Sequence, residues 1–255
     1  MGNPVPAAPP PQEERVGVDR LVVAWQNPVT GGAITPIGLL EKTEHGYAFA
    51  YLRRARTLPG FRPLLGLEDL NRRYESTTLF PLFRQRLMER RRPDYRRYLQ
   101  VLGLPYGVDP LGEIARSGGR RAGDTIFLLP EPFIDAQGLT STEFFVHGVR
   151  HKAGAEARIS TLRPGDRLEL RDEPSNPANQ RALLVTHVGD QLGYVPDLLV
   201  DYMHTVRRAS DLVMAVAQVN GPDVPPNLRL RVHAEGSVPR VYRPFQGDGW
   251  ELACT

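Results

Sequence analysis

The sequence predicts an α+β protein of two domains: a β-meander followed by helices, and then a small β-barrel domain with a helix. Three observations lead to this prediction. The chain has 255 residues, of which 41% are hydrophobic, so it is long enough to bury one or two cores. Short apolar and β-branched runs bounded by Gly, Pro and Asn recur in both halves. Helical periodicity is confined to the middle of the chain and to one later stretch.

Pro-rich and polar segments divide the chain. We expect a disordered Pro-rich arm at residues 1–18, a first domain at 19–133, a linker at 134–142, a second domain at 143–240 and a tail at 241–255. The tail holds Tyr242, Phe245 and Trp250 among Gly and Pro. We expect it to pack over the barrel or over a partner surface.

The first domain begins as a β-meander. Leu21–Trp25 is apolar and β-branched, Thr30–Gly32 supplies a turn, and Ala33–Leu40 returns. A second turn at His45-Gly46 leads into the apolar run Tyr47–Tyr51. The spacing predicts three consecutive strands.

Helical periodicity follows the meander. Pro81 suits the first turn of a helix, and Pro93 suits the start of a second one that Gly103 caps. The first helix is expected to bury Leu82, Phe83, Leu87 and Met88 and to expose Arg84, Arg86, Arg90 and Arg91. The second is expected to bury Tyr95, Tyr98, Leu99 and Leu102. The domain is completed by a short helix at Leu111–Ala115, a Gly118-Gly119 turn and a strand at Thr125–Leu129.

The second domain is predicted as short strands around one helix. The helix runs from Pro196 to Arg207 and buries Leu198, Leu199, Tyr202 and Met203. The strands are Arg167–Leu170, Leu183–His187, Gln191–Val195, Asp211–Val219 and Leu228–Val232. This order predicts a closed or nearly closed barrel.

Positive charge is concentrated in the first domain. The chain carries a net charge of +3, but residues 53–97 hold thirteen Arg against five acidic residues, a net of +8, and the other residues sum to −5. Arg-rich helix faces have two interpretations: solvated side chains that lie over the core, or a patch for phosphate or an acidic partner. The candidate patch residues are Arg90, Arg91, Arg92, Arg96 and Arg97.

A stiff loop lies between two strands of the second domain. In the segment RDEPSNPANQRALLV, Arg171–Val185, Pro174 and Pro177 fix their own φ and push the residues before them towards extended conformations. Asn176 and Asn179 are therefore presented by a rigid backbone, as in a binding loop. The alternative for Asn176 is purely structural, because an Asn between Ser and Pro commonly closes an Asx turn.

The order of strand, acidic-Pro-x-Asn-Pro loop, apolar strand and Gly-Tyr-Val-Pro turn resembles the HIRAN domain. The resemblance covers Phe144–Tyr202. It implies a small β-barrel module that, in the family's best-studied members, grips the 3′ end of single-stranded DNA. By position, Arg150 matches the family's phosphate-facing Arg, and Asn176 with Pro177 keeps the loop. The nucleic-acid-binding residues implied by the resemblance are Arg150, His151, Asn176, Asn179, Arg181 and Tyr194.

Several positions depart from the family's pattern. Ala178 and Asn179 stand where the DNA-binding members have a base-stacking Tyr and an Asp that receives the terminal hydroxyl. Tyr194 replaces a His, Asp197 stands where a Lys meets phosphate, and His151 stands where a Tyr is common. These departures predict weak binding with little preference for a free 3′ hydroxyl over a 3′ phosphate.

A second resemblance concerns the first domain. Strands with a turn at Val22–Tyr51, then helices, then the segment GEIARSGGRRAGDTIFLLPE look like the small N-terminal subdomain of HipA-type toxin kinases, over roughly Leu21–Glu131. In that family the subdomain has no catalytic residues and packs on the kinase core. In some systems it is a separate protein that restrains a kinase partner.

The sequence lacks motifs for catalysis and for metal binding. It has no GxxxxGK[ST] loop, no kinase signature set and no GxSxG elbow, so we expect a non-enzyme without a cofactor or metal. Cys254 is the single cysteine, which excludes an internal disulfide. On a strand, His147 and His151 would lie about 13 Å apart, too far to share a metal ion. We expect a cytoplasmic protein, since the single cysteine indicates a compartment without disulfides. No apolar run is long enough to span a membrane.

Two functions remain open at this point. The first is a HIRAN-type module that binds single-stranded DNA or DNA ends, with RNA as an alternative ligand. The second is a protein-interaction regulator whose first domain docks on a partner such as a kinase or a helicase. In that case the barrel supplies the specificity.

Overall fold

A computed structural model describes residues 18–29, 34–121 and 123–254. The predicted disordered arm therefore lies outside the described residues, apart from its last position, and so does the predicted Thr30–Gly32 turn. The first part of the chain contains an antiparallel sheet with the strand order β4-β3-β2-β1-β5. Its strands are β1 (Arg20–Trp25), β2 (Thr35–Thr43), β3 (Gly46–Tyr51), β4 (Tyr74–Ser76) and β5 (Ile126–Pro130). The predicted β-meander is confirmed as β1, β2 and β3.

Both faces of this first sheet are buried. On β1, Leu21 and Val23 join the core beneath the helices of the first part, whereas Val22 joins a core formed mostly by the second part. Leu39 on β2 also faces the second part. A strand that is buried on both faces needs a continuous apolar run, and the segment LVVAW is such a run. The second part of the chain thus covers one face of the first sheet.

Three helices accompany the first sheet: α1 (Pro81–Arg84), α2 (Tyr95–Leu102) and α3 (Pro110–Ser117). The second helix ends at the predicted left-handed Gly103, with φ of 66°, and buries Tyr95, Leu99 and Leu102, but it begins at Tyr95 rather than at Pro93 and leaves Tyr98 half-buried. The first helix is shorter than predicted, and Arg86 is buried rather than exposed. Its guanidinium donates to the carbonyl of Gly119 and pairs with Asp124, so a charge partner from a distant turn stabilises it in the interior.

The second part contains two antiparallel sheets and two helices. A four-stranded sheet has the order β11-β12-β7-β6, and a three-stranded sheet has the order β10-β9-β8. The strands are β6 (Phe133–Ile134), β7 (Leu139–Phe145), β8 (Glu169–Asp172), β9 (Leu183–His187), β10 (Asp190–Tyr194), β11 (Val213–Val219) and β12 (Leu230–Ser237). The helices are α4 (Ala155–Ile159) and α5 (Val200–Ala209).

The sequence predicts a closed or nearly closed barrel, and no closed barrel is found among the described residues. The two sheets are joined at isolated bridges, His147 with Tyr194 and Arg167 with Ala215, and by backbone hydrogen bonds between residues 165–168 and 214–216. Continuous pairing stops beyond β7 because Gly148 adopts a left-handed conformation and Val149–His151 form a 3₁₀ turn. The sequence suggested that His147 and His151 share a strand, but His151 lies in the 3₁₀ turn and the two residues do not.

The predicted linker is a β-hairpin. Residues 135–138 form its turn, in which the Asp135 side chain accepts hydrogen bonds from the backbone N–H groups of Gln137 and Leu139. Leu139 to Ser141 belong to β7, which pairs with β12. The run is polar, which is why the sequence predicts a linker, but the residues that β7 buries here, Thr140 and Thr142, are themselves polar.

Polar contacts from the second part hold the helices of the first part in place. Glu143 on β7 accepts hydrogen bonds from Arg116 of α3 and from Arg231 of β12. Burial raises the pKa of Glu143, but His233 and the two guanidinium groups outweigh that effect and lower the pKa to about 2. Gln218 Nε2 donates to the last-turn carbonyl of Gln100 at 2.8 Å.

The tail connects the two parts. Phe245 packs in the core of the second part, and Ala253 packs in the core of the first sheet. Leu252 forms a bridge with Leu52, directly after β3, and the backbone N–H of Ala253 donates to the carbonyl of Tyr51 at 2.8 Å. The tail therefore adds a short paired segment to the first sheet as well as covering the second part.

Candidate nucleic-acid interface

The loop between β8 and β9 is locked by one of its own side chains. Asn176 Oδ1 accepts hydrogen bonds from the backbone N–H groups of Ala178 at 3.0 Å and Asn179 at 3.2 Å. This is the Asx turn that the structural interpretation of Asn176 predicted. Asn176 Nδ2 donates to Glu173 Oε2 at 2.9 Å, so both ends of the amide are engaged within the loop. The loop is therefore a preorganised surface.

Glu173 is the centre of a charged cluster beside this loop. Lys152 Nζ lies 3.1 Å from Glu173 Oε1, and the Tyr194 hydroxyl donates to Glu173 Oε2. The Lys152 ammonium also lies 4.5 Å from the centre of the Tyr194 ring, a cation–π contact. Hydrogen bonds from Tyr194, Asn176 and Lys152 lower the pKa of Glu173 to about 2. Near neutral pH the carboxylate is thus fully ionised, and both of its oxygens accept hydrogen bonds.

The cluster connects the loop to the turn that carries Arg150. Lys152 follows directly after the 3₁₀ turn Val149–His151. Tyr194 and His147 exchange two backbone hydrogen bonds, of 2.9 and 2.8 Å, at the start of the same turn. Burial, with the nearby charge of Arg120, lowers the pKa of His147 to about 4. Turn and loop are therefore neighbouring parts of one surface.

Arg150 is the exposed cation of this surface. Its Nε contacts His151 Nε2 at 3.1 Å, and among the described residues it forms no salt bridge. A phosphate-binding Arg needs a guanidinium that solvent and ligand can reach, and Arg150 meets this requirement. Arg181, by contrast, is paired with Asp201 at the start of α5.

Asn179 and Asp197 form a direct pair. Asn179 Nδ2 donates to Asp197 Oδ1 at 3.1 Å, while Asn179 Oδ1 accepts from the backbone N–H of Arg181 at 2.9 Å. The Asn179 amide therefore already has a partner on each side. The negative charge at this point of the surface belongs to Asp197 rather than to the loop.

Two arginines of the candidate patch in the first part are paired with carboxylates. Arg92 makes two hydrogen bonds of 2.9 Å to Asp94, and Arg97 pairs with Asp223 of the second part. Arg90 donates to the carbonyl of Val108 at 3.2 Å, and Arg96 lies over the ring of Tyr106. The structure thus does not bring the patch and the loop into one cluster of side chains.

Two residues of this surface were not predicted from the sequence. Lys152 and Glu173 are 21 positions apart and belong to no shared motif, so only the tertiary fold brings them together. The pairing of Asn179 with Asp197 had a signal, because both positions depart from the pattern that the resemblance implies: an amide replaces the carboxylate at 179, and a carboxylate replaces the Lys at 197.

Two further classes of site are absent from the described residues. Within residues 18–29, 34–121 and 123–254, no group of three or more His, Cys, Asp or Glu is placed to hold a metal ion. Among the helices of that same part of the chain, none is long and apolar enough to cross a membrane.

The second part of the chain matches a known protein family. Residues 139–238 match the model of the HIRAN domain, and this part of the chain is a HIRAN domain. The crystal structure of the HIRAN domain of human HLTF is similar with 19% identity and a TM-score of 0.29, covering 39% of this chain and 79% of that chain. A crystal structure of a protein from Lactobacillus plantarum has 19% identity and a TM-score of 0.30, covering 39% of this chain and 99% of that one. None of the curated proteins matches.

Proposed function

We propose that the protein is a cytoplasmic, non-enzymatic nucleic-acid-binding protein whose HIRAN domain binds single-stranded DNA or DNA ends. The observation that carries the proposal is the locked loop beside the exposed Arg150, within the region that matches the HIRAN family. A rigid loop next to a reachable guanidinium suits a nucleic-acid strand, because the loop loses little conformational entropy when the strand binds.

The charge of the domain limits the affinity that this site supplies. Residues 139–238 contain eleven Arg and Lys against twelve Asp and Glu, a net of −1. Lys152 and Arg181 are each paired with a carboxylate. Since phosphate contacts dominate the affinity of most nucleic-acid-binding proteins, we expect weak binding that depends chiefly on Arg150.

The first test compares single substitutions. Arg150→Gln should weaken the binding of a short labelled single strand and lower the salt slope of the logarithm of the binding constant by about 0.7, the value for one lost phosphate contact. Arg163→Gln is the matched control, because Arg163 is an exposed Arg of the same domain. Fluorescence anisotropy over a range of salt concentrations measures both. Equal slopes for the wild-type and Arg150→Gln proteins would contradict the proposal.

The end specificity is proposed to be altered through Asn179 and Asp197. Changing Asn179 to Asp alone would place a second carboxylate at hydrogen-bond distance from Asp197, and like charges in that position repel. The restoring variant therefore combines Asn179→Asp with Asp197→Lys and adds Ala178→Tyr for base stacking. It should gain affinity for 3′-hydroxyl ends and reject 3′-phosphate ends, since one stacked base is worth about 1 to 3 kcal/mol.

The same experiment has an internal control. The double variant Ala178→Tyr/Asn179→Asp keeps Asp197 and should gain less than the triple variant. Two oligonucleotides that differ only in the 3′ group are titrated against each protein. A wild-type protein that already discriminates strongly between them, or a triple variant that does not, would refute the role of this loop in reading strand ends.

The second candidate function is a protein-interaction regulator whose first part resembles the HipA N-terminal subdomain. The favouring observation is the near-neutral HIRAN domain, whose cations are mostly paired with carboxylates. If a neighbouring gene encodes a kinase core or a helicase, its purified product should co-elute with this protein in gel filtration. Separate elution, together with strand binding in the anisotropy assay, favours the first candidate.

A further inference from the structure

Tyr106 is a large aromatic side chain that the fold holds out in solvent. It is 71% exposed. The backbone N–H of Val108 donates to the carbonyl of Pro105 at 3.4 Å, and Gly107 has a φ of 90°, so a tight turn presents the ring. Pro105 and Gly107 together restrict this turn, because one fixes its φ and the other permits the left-handed conformation. The ring is thus presented in a defined orientation.

One arginine lies over this ring and another binds the end of its turn. The Arg96 guanidinium lies 5.5 Å from the centre of the Tyr106 ring. Arg90 is fixed at the carbonyl of Val108, at the end of the same turn. Arg91 follows Arg90 in the chain, is exposed, and forms no salt bridge with any residue that the structure describes. Unlike Arg92 and Arg97, these three cations have no carboxylate partner among the described residues.

The turn that carries Tyr106 rests on a buried core that reaches the HIRAN domain. Tyr95 contacts Tyr106 edge-on, with ring centres 6.4 Å apart, and lies in a core with Leu99, Leu102 and Val108. Phe145 of β7 belongs to the same core. The turn and the HIRAN domain are therefore held in one fixed arrangement.

We propose that Tyr106, with Arg90, Arg91 and Arg96, forms a second contact for a single-stranded nucleic acid, in which a base stacks on the ring and phosphates meet the arginines. An exposed ring flanked by reachable guanidinium groups matches the alternation of bases and phosphates in a single strand. An acidic protein segment would need the cations but not the ring. The proposal rests on the proposed function for the class of ligand, but it uses a surface outside the HIRAN domain.

The test uses the full chain and labelled oligothymidylates of increasing length. Tyr106→Ala should weaken binding of the longer strands by about fivefold or more, because one stacked base is worth at least about that much. Tyr106→Phe should retain binding, because the aromatic face remains. Leu65→Ala is the matched control for loss of an exposed apolar group, since Leu65 is 85% exposed.

The cations are tested separately. The double variant Arg91→Gln/Arg96→Gln should lower the salt slope by about 1.4, the sum for two single-strand phosphate contacts. Arg62→Gln is the control, because Arg62 is an exposed Arg in the same basic segment. Ultraviolet crosslinking to a halogenated strand should label the peptide that contains Tyr106.

The outcomes separate the two proposals. If Tyr106→Ala and the arginine variant weaken binding while Arg150→Gln does not, the second contact stands and the proposed HIRAN site fails. If only Arg150→Gln weakens binding, or if Tyr106→Ala and Leu65→Ala behave alike, the second contact is refuted. If the variants weaken the binding of an acidic peptide but not the binding of a strand, the second contact is also refuted. If the wild-type protein binds no strand of any length, both proposals fail.

Discussion

The carboxylate of Glu173 accepts three hydrogen bonds, so its ionised form stabilises the folded state. The hydrogen bond from Tyr194, with those from Asn176 and Lys152, lowers the pKa of Glu173 from 4.5 to about 2. The unfolded chain therefore takes up this proton first as the pH falls. The stabilisation is complete above about pH 4.5 and is lost between pH 4.5 and about pH 2.

Glu173→Gln should flatten the fall of the free energy of unfolding across this pH window. The substituted amide cannot change its charge, so this contribution to the slope disappears. Glu169→Gln on the exposed face of β8 serves as the control and should leave the slope unchanged. Urea titrations at a series of pH values measure it. Equal slopes for the wild type and Glu173→Gln would contradict the assignment.

Val188 is a second residue whose local structure predicts a measurable effect. It has a φ of 48° in the turn between β9 and β10 and is 86% exposed, so nothing compensates for the strain of a β-branched residue there. Val188→Asn would give the Asn-Gly pair that such turns favour and should raise the free energy of unfolding by about 1 kcal/mol. Val241→Asn, at a 90% exposed site without positive φ, should change it little.

At the element scale, the end of α2 is coupled to the second part of the chain. A Cβ at Gly103 would lie 2.4 Å from Arg231 Nη2 and 2.6 Å from Gln218 Oε1. Neither side chain can move freely, because Arg231 is bound to Glu143 and Gln218 caps the carbonyl of Gln100. Gly103 is therefore needed for close packing as well as for its left-handed conformation.

Gly103→Ala should cost more than Gly118→Ala. Both glycines end a helix with φ near 70°, so both substitutions share a backbone cost of about 1 kcal/mol. Only Gly103 has tightly held neighbours, which should add about 1 kcal/mol or more. Thermal denaturation of the two variants measures the difference. An equal loss of stability in the two variants would show that Arg231 and Gln218 move to make room for the methyl group at position 103.

Sequence patterns predicted most elements because strands and capped helices are encoded locally. The Gly103 cap, the strand Leu183–His187 and the Asx alternative for Asn176 all depend on neighbours in the chain. Arg86 shows where such reasoning stops. Its position in a helical pattern indicated exposure, but its partner Asp124 is 38 residues away. The Lys152–Glu173 pair was missed for the same reason.

At the scale of the whole molecule, the two parts share their cores. Val22 and Leu39 of the first sheet pack with residues of the HIRAN domain, and Phe145 of the HIRAN domain packs under α2. The sequence predicted separate domains, because apolar patterns were complete on either side of a polar run. The extra information was present in the non-alternating segment LVVAW, which indicates a sheet buried on both faces.

The shared cores predict one cooperative unfolding transition for the whole chain. Phe145→Ala should lower the free energy of unfolding by roughly 3 kcal/mol and shift the entire transition, because truncating a buried Phe leaves a cavity between the two parts. Calorimetry and circular dichroism should report the same midpoint. Two separated transitions, or a Phe145→Ala variant in which only one part melts earlier, would show that the parts fold independently.

The pairing of Ala253 with Tyr51 has a consequence for protein synthesis. The core of the first sheet includes a residue that the ribosome adds about two hundred positions after β3. At ordinary elongation rates, roughly ten seconds or more separate the synthesis of β3 from that of Ala253. During that time the nascent first sheet has one uncovered apolar face and an incomplete edge. This part of the molecule therefore cannot reach its final structure until Ala253 has been synthesised, and chaperones that bind exposed strands on the ribosome would meet it first.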